Sequence, residues 1–124
     1  MSTIPITRGD AKSVGFTVHL GDDPDNPTPV ILTGAKIWFT ARFSYTDPDP
    51  PVIQLTSDPD EGIRITAPLL GEGFIDFQPE HTEVLPNEDT DLLYDLQVRD
   101  AASNPFTVAR GRLLVSAEVT VGVP

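Results

Sequence analysis

The sequence has no cysteine, so neither a disulfide framework nor a thiolate metal site is available to it. It has little positive charge: eight Lys and Arg stand against 19 Asp and Glu, a formal net charge of −11 with a pI near 4.2. Nucleic acids and anionic membrane surfaces are bound by clustered cations, so neither is expected as a partner. Nowhere do about 18 apolar residues follow one another, and the opening "MSTIPITRGD" lacks a basic stretch leading into an apolar one. No membrane span and no signal peptide are therefore expected. Aromatic residues are few, with a single tryptophan, Trp38.

What the 124 residues do contain is enough apolar material for one core, 39%, interrupted by 13 prolines and 9 glycines. The acid is uneven along the chain. Residues 1 to 95 carry 5 basic and 17 acidic side chains, and residues 96 to 124 carry 3 and 2.

Period-two alternation dominates, the mark of strands with one buried face. Val14, Phe16, Val18 and Leu20 alternate with Ser13, Gly15, Thr17 and His19. The proline-rich "GDDPDNPTP" breaks the chain. In "LTGAKIWFTARF", Ala35, Ile37, Phe39, Ala41 and Phe43 share one face, and Lys36, Trp38, Thr40 and Arg42 the other. Short strands are expected around Val52 to Leu55, through Ile63 and Ile65, and from Phe74 to Gln78. "PEHTEVLP", residues 79–86, has proline at both ends and room for only a single helical turn. "DLLYDLQVRD" and "FTVARGRLLVSAEVTVG" flank the turn "AASNP" as a hairpin. If Arg99 pairs with Phe106, Asp95 falls opposite Arg110, a favourable cross-strand pair. The expected fold is all-β: a single antiparallel β-sandwich, immunoglobulin-like, with at most one short helical turn near residues 79–86. One domain is expected over 1–124, with residues 1–7 an extended N-terminal segment and 8–121 the sandwich.

Catalytic chemistry is not visible. His19 and His81 have no partner at metal-ligand spacing, and there is no phosphate loop, nucleophile elbow or cysteine nucleophile. "DDPDN", residues 22–26, is a solvated turn rather than a calcium loop, and carboxylate pairs such as Asp22 with Asp23 or Asp89 with Asp91 are expected in loops this acidic. No catalytic residue, cofactor or metal is expected. Arg8-Gly9-Asp10 matches the tripeptide that integrins read, but it stands directly before a strand. There Gly9 supplies a positive φ and Asp10 bonds nearby backbone, so a turn is expected.

The order "TRGDAKSVGFTV", "ILTGAKIWFTAR", "EGIRIT", "GFIDFQPEHTEVLP", "LLYDLQVRD" and "FTVARGRLLVS" resembles the β-sandwich module of tailed-bacteriophage virion proteins, notably the N-terminal domain of baseplate upper proteins. The resemblance spans residues 6 to 116 and rests on strands and turns rather than a catalytic signature. It implies a non-enzymatic virion structural or accessory protein, made in the host cytoplasm, that packs against other virion proteins, including copies of itself, in a tail, baseplate or capsid. The sequence stops at Pro124 without a fibre or receptor-binding head, which favours a small accessory. A carbohydrate-binding or adhesion module is the alternative, for which Trp38 is the available aromatic.

Trp38 lies on the supposedly wet face of its strand, where three covers are conceivable: Ile4-Pro5-Ile6, the loop from Pro48 to Pro51, or a neighbouring subunit. The interface candidates are Trp38, Ile4, Ile6, Leu114 and Arg112.

Overall fold

A computed structural model of the chain describes residues 2–20, 28–29, 31–46 and 50–117. Its strands are β1 (Ser2–Thr7), β2 (Lys12–Thr17), β3 (His19–Leu20), β4 (Thr28–Pro29), β5 (Lys36–Arg42), β6 (Ile53–Thr56), β7 (Ile63–Ala67), β8 (Glu72–Phe77), β9 (Thr90–Arg99) and β10 (Pro105–Ser116). A five-stranded sheet runs β1-β10-β9-β5-β6, a three-stranded sheet runs β2-β8-β7, and β3 pairs with β4. Every pairing between named strands is antiparallel except β1 with β10. The fold is the expected all-β sandwich. In chain order, β2, β8 and β7 take the places of strands B, E and D of an immunoglobulin sandwich, and β10, β9, β5 and β6 those of G, F, C and C′.

Alternation builds the core as the sequence leads one to expect. Ile37, Phe39 and Ala41 of β5 and Leu92, Tyr94, Leu96 and Val98 of β9 point inward, where they meet Ile63, Ile75 and Phe77 from the smaller sheet. Phe39 joins the layers, edge-on to Phe77 at 5.3 Å and stacked on Tyr94 at 5.1 Å. Such aromatic pairs add about 0.5–1.5 kcal/mol beyond burial.

Four expectations change. Phe43 is 56% exposed, because β5 ends at Arg42 and the inward row stops at Ala41. The strand foreseen from Val14 to Leu20 is two, parted at the buried Val18, whose N–H turns to the Gly71 carbonyl at 2.8 Å. The N-terminal segment is itself an edge strand; Pro5 is tolerated there because an edge strand has one side unpaired. Beside the helix α1 (Pro79–Glu83), a 3-10 turn, η1 (Pro68–Leu70), connects β7 to β8. "DDPDN" and Pro48 lie outside the described residues, as does the side chain of His19.

The chain passes between sheets twice at one end, and the two crossings are tied together. The first is the turn Arg8-Gly9-Asp10 between β1 and β2, and the second is α1 between β8 and β9. Gly9 has φ +84°, the left-handed region, and its N–H donates to Thr82 Oγ1 at 2.8 Å. Arg8 donates through Nε to the Leu85 carbonyl at 2.8 Å and through Nη2 to the Glu83 carbonyl at 3.1 Å, capping the end of α1. Asp10 contributes its N–H, to the Thr7 carbonyl at 3.0 Å. The tripeptide is a structural turn whose arginine is engaged, not the tip of a free loop.

Two predictions follow from this geometry. A methyl group on Gly73 would lie 2.4 Å from the Arg64 carbonyl oxygen and 2.7 Å from Phe16 Cζ, whereas one on Gly15 would meet only the Phe74 ring, at 3.3 Å. Gly73→Ala is therefore expected to destabilise by about 1–3 kcal/mol, the range of overpacking, and Gly15→Ala by far less; thermal melts of both check this. Thr82 is 0% exposed. Thr82→Val would strand the Gly9 N–H, at about 1–3 kcal/mol, lowering Tm by roughly 4–12 °C. Thr82→Ser, which keeps the hydroxyl, should recover part of that loss.

Candidate interaction face

The outward residues of the five-stranded sheet form a cationic surface in an acidic protein. The pairing registers arrange them in rows. Lys36, Arg99 and Pro105 make the first, and Thr56, Trp38, Gln97 and Thr107 the second. Gln54, Thr40, Asp95 and Arg110 form the third, and Arg42, Leu93, Arg112 and Thr3 the fourth. Asp91, Leu114 and Pro5 close the set. Five of the eight basic residues of the chain stand here, with two carboxylates, Asp91 and Asp95.

Trp38 is half-buried within this surface by its own neighbours. Lys36 Nζ lies 5.2 Å from the ring centroid and the Arg99 guanidinium 5.1 Å. Lys36 is also held by Asp58 at 2.9 Å. Each cation–π contact at an exposed site is worth about 0.5–1 kcal/mol. Beside the ring is a hollow of about 410 Å³ lined by Trp38, Thr40, Gln54, Gln97, Arg99, Ser103 and Pro105.

Of the residues singled out from the sequence, Trp38, Arg112 and Leu114 do share this face, Arg112 exposed and Leu114 half-buried. Leu114 is three rows from Trp38, about 20 Å along the strands. Ile4 and Ile6 do not belong to it: they are 8% and 4% exposed and pack in the core, because β1 pairs with β10 and turns those side chains inward. Nor does β1 cover Trp38, since β10 and β9 lie between β1 and β5.

Asp95 does stand opposite Arg110, yet the guanidinium lies over the Tyr45 ring at 5.3 Å and the two form no ion pair among the described residues. The partner of Arg99 is Pro105, not Phe106, because a bulge at Val108 shifts the register near the turn. Sequence reasoning passed over Lys36, Arg42, Arg99 and Arg110 as a cluster. The signal was there in the polar half of each alternation, but pairing across strands was needed to bring the cations together.

A second concavity, of about 350 Å³, opens at the edge of the sandwich between β6, β7, β8 and α1. It is acidic: Asp60, Glu61 and Glu80 are exposed along it. Arg64 also lines it, but its guanidinium is committed to Asp76, donating from Nε and Nη2 at 2.5 and 3.0 Å, and stacks over Phe74 at 5.1 Å. Ser13 donates to the same carboxylate at 2.6 Å. His81 Nδ1 accepts the Gln78 N–H at 2.9 Å, a helix-capping role. Among the described residues no cluster of three or more His, Asp or Glu has metal-binding geometry. No helix there is long and apolar enough to cross a membrane.

Comparison of the chain with protein-family models and with curated proteins gives no match.

The Arg64 hydrogen bond, chiefly, and that from Ser13 hold the Asp76 carboxyl below its usual range, with burial opposing them. A depressed carboxylate stabilises the fold above its unfolded pKa, about 3.9, and that contribution is lost as pH falls through the lower folded value. Asp76→Asn should therefore lower Tm at pH 7, with the gap to the parent protein narrowing below about pH 4. Melts from pH 7 downward check this; a gap that stays constant would assign the effect to packing alone.

Proposed function

We propose that this chain is a non-enzymatic assembly module of a bacteriophage virion that binds neighbouring virion subunits through the outer face of its five-stranded sheet. The observation that carries the reading is the concentration of five of eight basic residues, with the only tryptophan, on one sheet face of a protein of net charge −11. Solubility alone calls for interspersed charges. Segregated charge around an aromatic is instead the composition of a binding surface, since Trp and Arg are enriched among interface hot spots. The virion setting rests on the resemblance of the strand and turn order to baseplate modules. The sugar-binding alternative has less support, because the surface over Trp38 that a sugar ring would stack on is occupied by Lys36 and Arg99.

The test is Trp38→Ala, read twice. The isolated domain should stay folded, with Tm lowered by less than about 8 °C, the loss of some 2 kcal/mol or less from a partly exposed side chain. Incorporation into purified virions, measured by immunogold labelling and quantitative blotting, should fall about thirtyfold for a hot spot of about 2 kcal/mol. Normal incorporation of the folded variant would remove Trp38 from the interface, and failure of the parent chain to label virions at all would remove the virion role.

A further inference from the structure

The cationic face has a complementary surface on the same molecule. We infer that the occupant of that face is the acidic edge of a second copy of this chain, in a head-to-tail contact that repeats. This rests on the reading of the chain as an assembly module and names the partner and the two surfaces.

Three features argue for it. Arg99, Arg110 and Arg112 form no ion pair among the described residues, so no carboxylate of that set neutralises their charge directly. Exposed cations not held in ion pairs select an acidic partner. The concavity lined by Asp60, Glu61 and Glu80 supplies one, because its own arginine is already committed to Asp76 and leaves the exposed carboxylates in excess. Finally, the two surfaces belong to different parts of the sandwich. The face is the outer side of the five-stranded sheet, and the acidic cleft opens past its β6 edge toward β7, β8 and α1, so the two adjoin at Gln54 without sharing a charged residue. A contact between unlike surfaces leaves both ends open, so it builds rings or filaments rather than stopping at a dimer.

Sedimentation velocity on the full chain tests this. At about 20 mM salt, where charges act over tens of ångströms, the mass should rise with concentration beyond that of a dimer. At about 0.5 M salt, where screening is short, it should return toward the 13.4 kDa monomer. Charge reversal of the face (Arg99→Glu with Arg112→Glu) and of the edge (Glu61→Lys with Glu80→Lys) should each weaken self-association at least tenfold. Mixing the two variants, each first shown folded by circular dichroism, should restore it, because each then offers the surface the other lost.

A parent chain that remains monomeric at about 20 mM salt, or association that survives both reversals, overturns the inference. So does tight binding of heparin to the face without self-association, which would assign the face to a different polyanion. Virion incorporation that depends on Trp38 while self-association is undetectable would leave the assembly reading standing and overturn only the choice of a second copy.

Discussion

The sandwich depends on a hydrogen bond that closes one of its ends, from the Gly9 N–H to the buried Thr82 hydroxyl. A two-sheet fold is held by its core, but its sheets are separate hydrogen-bonded units, and beside the interdigitated core only the connecting segments tie one backbone to the other. Here both crossings at one end meet. Gly9 turns the chain from β1 to β2, α1 returns it from β8 to β9, and Arg8 adds bonds to the carbonyls at the end of α1. The left-handed φ at Gly9 aims its N–H at Thr82. Without that tie, the parallel β1–β10 pairing would anchor only the edge of its own sheet.

With that end fixed, β1 is held against β10 and buries Ile4 and Ile6, and the outer face of the five-stranded sheet carries mainly polar and charged side chains around Trp38, Leu93 and Leu114. The cations on it are restrained by the aromatics they lie over, Lys36 and Arg99 at Trp38 and Arg110 at Tyr45. Long cationic side chains lose rotamer entropy when a partner immobilises them. Those already held over a ring lose less, so this surface is prepared for binding.

The strands were legible because each obeys a period of two, and β5 shows it most clearly, with Ile37, Phe39 and Ala41 buried and Lys36, Trp38 and Thr40 turned out. The ends of the strands were less so: nothing in the alternation says that Phe43 falls beyond the last paired residue. β1 was read as an extension because a short segment with a proline carries no strand period, and its pairing partner is more than a hundred residues away. The cationic face was only half legible. Lys36, Trp38 and Arg42 announce themselves within one strand, but their nearness to Arg99, Arg110 and Arg112 is a property of sheet order, which is non-local.

The hairpin of β9 and β10 shows how two local rules collide and are reconciled. The turn is set by Asp100, whose carboxylate accepts the N–H groups of Ala102 and Asn104 at 3.0 and 2.9 Å, with Ser103 at φ +67°; this closes the loop with Arg99 opposite Pro105. Farther along, burial of Leu92, Tyr94 and Leu113 fixes a register in which Leu96 opposes Ala109, and the two registers differ by one residue. A one-residue slip would turn every side chain of β10 to the wrong side. The bulge at Val108 absorbs it. Its consequence lies on the outer face. Thr107 and Arg110, three apart in sequence, both occupy outward rows, and Phe106 stands opposite the buried Val98 instead of beside Arg99. The bulge thereby sets Pro105 in register with Arg99, at the end of the row that β5 and β9 build from Lys36 and Arg99, and a mismatch between a turn and a core decides which residue of β10 closes that row.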